Sequence, residues 1–212
     1  MNINVGSLIL AIGRRGSGKS TILRWISEIL LQSKEYDYIR VVSPTALLNN
    51  DWAHIENQYV ISEDIEDYIQ QIYDEQKKAV ESGKYKKGLL ILDDIAGSIS
   101  FRNKDKLWAK IGSCGRHYKI TTIVVTQYIH TASPIIRTQS DLIILMGRFS
   151  LPAIKSIYDQ YSPINVTSEN EFKKKIEQYT KDHNAYVIDN RNGLEYNIKT
   201  PEGYKPKNIK QS

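Results

Sequence analysis

Short runs of consecutive apolar residues alternate along this chain with longer stretches in which apolar residues return every three or four positions. The first run, residues 7–12 (SLILAI), ends at Gly13 and reads as a buried strand. Beyond it Ile22, Leu23, Ile26, Ile29 and Leu30 recur at helical spacing and predict a helix over 19–32. A second strand is predicted at 38–42 (YIRVV), closed by Ser43-Pro44, and a short extended segment at 58–61. Ser62 is the expected N-cap of the next helix, with Glu63 and Asp64 favouring its positive end. Ile65, Ile69, Ile72 and Tyr73 carry one face of that helix to about Ser82.

The most apolar run, 88–92 (GLLIL), leads directly into Asp93-Asp94. A helix is predicted over 104–118, a strand over 121–126 (TTIVVT) ending at Gln127, and a fifth strand over 142–146 (LIILM). Continuous apolar strands bounded by helices predict a mainly parallel sheet covered on both faces, an α/β fold. After residue 150 the pattern changes. A helix over 152–161 precedes Ser168 and Glu171, spaced as a capping box that opens a Lys-rich helix, and Lys173–Lys175 read as its wet face. Residues 185–189 and 194–198 flank Asn190-Arg191-Asn192-Gly193, a hairpin signature. The expected organisation is one domain over 1–212: a core to about residue 150, a C-terminal helix and β-hairpin extension to about 200, and a loose, basic tail over 201–212.

Composition changes this picture little. Apolar residues make up 41% and charged residues 25%, the profile of a soluble globular protein. No apolar run approaches the ~20 residues that span a bilayer, so no stable membrane insertion is expected. The first residues, MNINVGSLILAIG, lack a basic flank and run straight into the glycine-rich segment, which argues against a cleaved signal. The single cysteine, Cys114, excludes an intramolecular disulfide and reads as a buried structural thiol. With four scattered histidines beside it, the sequence offers no zinc ligand set. A formal charge of +5 is compatible with a nucleic-acid partner without requiring one.

The chemistry lies in Gly13-Arg14-Arg15-Gly16-Ser17-Gly18-Lys19-Ser20, which fits G-x-x-x-x-G-K-[ST] in full between a predicted strand and a predicted helix. Glycines let the backbone curl so that successive N–H groups face phosphate oxygens. Lys19 supplies a point charge to the β- and γ-phosphates, the Ser20 hydroxyl is a ligand for Mg²⁺, and the helix directs its positive end at the anion. Thr21 extends the expected set of nucleotide contacts. ATP and Mg²⁺ are thus the expected cofactors. Asp93, at the end of a buried strand expected to neighbour this loop, is assigned to the metal. Asp94 is assigned to the attacking water, or alternatively to capping the following turn. Gln127 contacts the γ-phosphate or the lytic water, or is a surface amide at a strand end. Arg116, Arg137 and Arg148 are the candidate guanidiniums for neutralising transition-state charge, each with a solvated default.

The motifs GRRGSGKS (13–20), LLILDD (89–94), GRHYKITTIVVTQ (115–127) and PIIR (134–137) together resemble the FtsK–HerA superfamily, most closely its viral branch of poxvirus-type genome-packaging ATPases. The resemblance implies a RecA/FtsK-like P-loop NTPase fold. It also implies an ATP-driven motor that moves viral double-stranded DNA into a preformed capsid. Arg116 then matches a trans-acting arginine finger and Gln127 a polar sensor, while Arg137 is a second finger or a backbone-binding residue. Asp94 stands where cellular members carry Glu. Implied partners are double-stranded DNA, further copies of the chain in a hexameric or pentameric ring, and a viral capsid or portal vertex; the implied location is the host cytoplasm or the virion. Arg102, Lys104 and Lys106, or Lys84, Lys86 and Lys87 around Tyr85, are the candidate backbone-gripping residues or else solvated turns. A small-molecule kinase and an ATP-binding assembly module of a virion or secretion complex are the alternative readings of the same phosphate loop.

Overall fold

The computed structural model describes residues 3–49, 51–99 and 104–205. Eight strands form one sheet: β1 (Leu8–Gly13), β2 (Tyr38–Val42), β3 (Val60–Ile61), β4 (Gly88–Asp93), β5 (Ile120–Thr126), β6 (Leu142–Met146), β7 (Ala185–Asp189) and β8 (Leu194–Ile198). Their spatial order is β3-β2-β4-β5-β1-β6-β7-β8. The first six strands pair in parallel, while β7 and β8 continue the sheet antiparallel beyond β6. The helices are α1 (Lys19–Gln32), α2 (Ala46–Asn49), α3 (Ile65–Glu81), α4 (Lys104–Tyr118), α5 (Pro134–Gln139), α6 (Leu151–Tyr161) and α7 (Glu169–Tyr179). This is the expected mixed α/β architecture, with a mainly parallel sheet flanked by helices.

The two-residue period of the strands feeds two separate cores. Leu8, Leu10 and Ile12 of β1, with Leu90 and Leu92 of β4, pack under α3, α4, α5, α6 and α7 through Ile69, Leu107, Ile136, Ile157 and Phe172. The intervening Ile9, Ala11, Leu89 and Ile91 face the other side, against Ile22, Leu23 and Ile26 of α1 and against Trp52 and Ile55. Burial on both faces explains why these strands read as unbroken apolar runs rather than alternating ones.

Several local expectations change. The hairpin is part of the main sheet, with Leu142–Met146 paired to Asp189–Ala185 residue by residue. Only Val60 and Ile61 of the 58–61 segment pair as a strand, preceded by a 3₁₀ turn over Asn57–Tyr59. Asp64, not Ser62, occupies the N-cap of α3, and its left-handed backbone (φ +46°) leaves its side chain without a capping hydrogen bond. Ser168 does cap α7, accepting the Glu171 N–H at 3.2 Å, and Glu171 reaches back to the Thr167 N–H at 3.0 Å. On that helix Lys175 is not wet: it pairs with Glu195 of β8, which also accepts from the Tyr186 hydroxyl. The start of the supposedly loose tail is tied down as well, since Tyr204 donates its hydroxyl to Glu28, buried on α1, at 2.7 Å. Cys114 is half-buried and packs against the core under α4.

Candidate nucleotide site

Because β1, β4, β5 and β6 run parallel, their C-terminal ends open on one edge of the sheet. There the chain leaves β1 at Gly13, turns through residues 14–18 and enters α1 at Lys19. Gly16 (φ +75°) and Gly18 (φ +85°) hold left-handed conformations that few side-chain-bearing residues adopt, which curls the backbone into a concave turn. The turn is closed by the Ser17 N–H on the Arg14 carbonyl at 3.1 Å. It is also tightly backed. A Cβ on Gly13 would lie 2.6 Å from Ser17 Oγ and 2.9 Å from the Met146 carbonyl, and a Cβ on Gly147 would lie 2.6 Å from Ser17 Cβ. Among the described residues, the buried Ser17 hydroxyl has no hydrogen-bond partner. The first turn of α1, with Lys19, Ser20 and Thr21 half-buried, carries no acidic residue to cancel its positive end.

The acidic pair is two strands away rather than one. β5 lies between β1 and β4, so the strand carrying Asp93 does not neighbour the loop strand as the sequence suggested. The consequence is chemical: β5 ends at Thr126, and Gln127 therefore emerges between the phosphate loop and the acids. The Gln127 side-chain amide donates to Asp94 Oδ2 at 2.6 Å, so it is no free surface amide. Asp94 stands in a left-handed backbone (φ +55°) at the head of the turn Ile95–Gly97, with its own N–H on the Val125 carbonyl at 3.1 Å. That conformation turns the chain sharply after β4 and makes no side-chain cap, which argues against the capping role.

Asp93 is the more enclosed of the two. Its Oδ2 accepts the indole N–H of Trp52 at 3.2 Å. Burial pushes the Asp93 carboxyl above the ordinary carboxylate range, against the opposing pull of the Trp52 hydrogen bond and the Lys19 charge. A carboxylate in this state gains from a cation placed beside it. With the Ser20 hydroxyl on the first turn of α1, this donor set fits Mg²⁺: hard oxygens, few in number, next to a phosphate cradle.

A cavity of about 950 Å³ opens beside the phosphate turn. It is lined by Arg14 to Ser17, by Gly147, Arg148 and Phe149, by Thr180 to His183, and by Ile154 and Ile176. Arg148 therefore joins Arg14 and Arg15 around the site. His183 rests on Gly18, where a Cβ would come within 2.9 Å of the His183 Cβ, so the turn after α7 seals one flank of the loop.

Arg116 and Arg137 are not brought to this edge. Each lies near the C-terminal end of a helix, α4 or α5, that feeds the start of β5 or β6, at the opposite end of the sheet. Arg116 pairs with the buried Asp141 while its own side chain stays 70% exposed. Asp141 also accepts the Leu8 N–H at 2.9 Å, and a Cβ on Gly6 would lie 2.6 Å from Arg116 Cα. Arg137 contacts Gln160 of α6 at 3.3 Å, and its carbonyl accepts from Tyr161 at 2.7 Å, both structural contacts. The basic candidates divide in the same way. Lys84, Lys86 and Lys87 are exposed where β4 begins, Lys106 is exposed on the first turn of α4, and Arg102 and the Lys104 side chain lie outside the described residues.

Sequence reasoning missed Trp52, Asp141, Gly147 and the 180–183 wall. A tryptophan inside the mainly polar segment NNDWAHIEN, and an aspartate directly before LIILM, were the available signals for the first two.

Comparisons with known proteins agree with this geometry. The chain is 30% identical over 186 residues to protein 088R of Invertebrate iridescent virus 3, covering 87% of this chain and 70% of that protein. It is 28% identical over 199 residues to an uncharacterized protein of Acanthamoeba polyphaga mimivirus, of which it spans 66%. Among solved structures, the genome packaging NTPase B204 from Sulfolobus turreted icosahedral virus 2, in complex with AMPPCP, superposes with a TM-score of 0.69 at 20% identity, over 93% of this chain and 98% of that one. That likeness establishes the shared fold. The Poxvirus A32 protein family matches residues 6–146, from just ahead of β1 to the end of β6, and takes in the phosphate loop, both acids, Arg116 and Gln127. By that match, over well more than half of its length, the chain belongs to the Poxvirus A32 protein family.

Proposed function

We propose that this chain is the ATP-hydrolysing subunit of a ring-shaped motor that drives viral double-stranded DNA into a preformed capsid. The observation that carries the reading is the Gln127–Asp94 hydrogen bond at the strand ends between the phosphate turn and Asp93. A passive ATP-binding module has no use for a glutamine fixed to a carboxylate at these strand ends, and a small-molecule kinase, which also employs a carboxylate base, leaves the glutamine unexplained. A water-activating site uses both. The family match and the fold shared with a genome packaging NTPase support the same reading.

In this account the backbone N–H groups of residues 13–20 and the Lys19 ammonium bind the β- and γ-phosphates. The sugar and base take the cavity between Arg14-Arg15 and Thr180–His183. Ser20 and Asp93 hold Mg²⁺, which when bound neutralises charge on the phosphate oxygens. Asp94 takes a proton from a water as its oxygen bonds to the γ-phosphorus and the bond to the β-phosphate oxygen breaks. Gln127 holds the Asp94 carboxylate in the direction of that water and registers the γ-phosphate. Arg116, on the far end of the sheet from its own phosphate loop, serves the site of an adjacent copy. Its exposed guanidinium, steadied by Asp141, suits that role.

Phosphate release and nucleotide binding, measured together on three proteins, test the reading. Lys19→Ala is expected to lose nucleotide binding. Asp94→Asn is expected to bind nucleotide while turning over at least ~100-fold more slowly, the scale of a lost general base. Arg116→Ala rings are expected to regain activity when mixed with Asp94→Asn subunits, which supply the guanidinium from a neighbour. Wild-type turnover by Asp94→Asn, or no recovery in demonstrably mixed rings, would overturn the corresponding assignment.

A further inference from the structure

Trp52 sits in the segment between α2 and β3, far in sequence from both acids, yet it is 2% exposed and packs among Ile22, Leu23 and Ile26 of α1. A buried indole N–H usually finds an acceptor, though among the described residues that of the equally buried Trp108 has none. Here the acceptor is one particular oxygen, Asp93 Oδ2, at 3.2 Å. The segment that delivers it is fixed at two further points. Asp51 pairs with Arg24 of α1 at 2.9 Å, and His54 stacks on the Trp52 ring at 5.9 Å between centroids and 29° between planes. Through Arg24 and the apolar contacts, the indole is therefore anchored to the helix that begins at Lys19-Ser20. The indole thus links α1, which opens at the phosphate turn, to the acid strand, from which β5 separates the loop strand in the sheet.

We propose that Trp52 is a positioning residue: its indole N–H holds one oxygen of Asp93, so that the other is presented to the divalent cation beside Ser20. The proposal rests on the reading of Asp93 as the metal-holding acid. Without the indole, the carboxylate rotates about its side-chain torsions, and the cation pays for ordering it. An orienting partner of this kind changes metal affinity by roughly 10–100-fold when removed. Binding of the nucleotide's own phosphates, sugar and base does not pass through Asp93 and stays as it was.

Two measurements on the full chain test this. In a ¹H–¹⁵N spectrum the three tryptophans give three indole N–H signals, and Asp93→Asn identifies that of Trp52 by moving it alone. Addition of Mg²⁺ to the ADP-loaded wild type is expected to shift the Trp52 signal and leave those of Trp25 and Trp108 in place. In parallel, Trp52→Phe is expected to raise the Mg²⁺ concentration needed for half-maximal tightening of ADP binding by about tenfold, with metal-free ADP affinity within twofold of wild type. A Trp52 signal indifferent to Mg²⁺ overturns the proposal, as does a Trp52→Phe protein that loses metal-free binding in the same proportion, which marks the indole as packing only. If Trp52→Phe does not fold, the spectrum of the wild type decides alone. Failure of the wild type to bind ADP with or without Mg²⁺ instead overturns the nucleotide-site reading itself.

Discussion

Gly147 and Gly16 form a matched pair for separating backbone cost from steric cost at the phosphate turn. Both hold left-handed conformations, φ +76° and +75°, so an alanine at either position bears the same penalty of roughly 1–2 kcal/mol. Their surroundings differ. A Cβ at Gly16 meets nothing within 4 Å among the described residues, whereas one at Gly147 lies 2.6 Å from Ser17 Cβ and 3.3 Å from Ser17 Cα. Those atoms belong to the backbone and its first side-chain carbon, so no rotamer change relieves the overlap, and the loop itself must shift. Overpacking of this kind costs about 1–3 kcal/mol. Gly16→Ala is therefore expected to lose ~1–2 kcal/mol and Gly147→Ala ~2–5 kcal/mol. Urea unfolding with shared slopes measures both. In a chain of this size each kcal/mol moves the melting temperature by roughly 2–4 °C, which makes the difference visible in a thermal scan. Equal losses in the two variants would refute the argument, by showing that residue 147 does not buttress the turn.

Gln127→Leu removes the donor to Asp94 while keeping bulk; steady-state turnover is expected to fall about 100-fold, with nucleotide affinity in a binding titration unchanged. Asp141→Ala leaves the Leu8 N–H without its acceptor and frees Arg116, and urea unfolding should register a loss of about 1–3 kcal/mol. His54 is buried, its charged form disfavoured by desolvation and then by the nearby Arg24, and its pKa is lowered to about 4. Because the folded value lies below the unfolded one, this histidine's contribution is complete above about pH 6.5 and is lost as the pH falls towards 4. That loss, up to about 3 kcal/mol, should be absent in His54→Gln when unfolding is measured across the range.

The parts of this molecule that were legible in its sequence are those whose signal is local. The phosphate turn announces itself because glycines, lysine and serine must stand at fixed spacing along one segment. Strands β1, β4, β5 and β6 are readable because burial on both faces leaves them uniformly apolar. What required the folded chain was lateral order. Nothing in LLILDD or TTIVVTQ states that the second strand inserts between the first and the phosphate loop, yet that insertion sets Gln127 against Asp94. Trp52, Asp141 and Gly147 escaped for the same reason. Each acts through a contact with a residue 41, 25 or 130 positions away: Asp93, Arg116 and Ser17. The Ser62 cap failed because β3 ends at Ile61 and the chain bends through residues 62–64 before α3 begins at Ile65, which leaves Asp64 in the N-cap position. The tail and Lys175 read as solvated because their partners, Glu28 and Glu195, are ordinary acids on elements that only the sheet and α1 bring near.

Phosphate release by the assembled wild-type protein, with and without duplex DNA over a range of salt concentrations, tests the central claim most directly. A motor of the kind proposed should hydrolyse ATP faster when DNA is present, and that stimulation should fall steeply with salt as counterions reoccupy the DNA backbone. A turnover rate indifferent to DNA in correctly formed rings at low salt would contradict it.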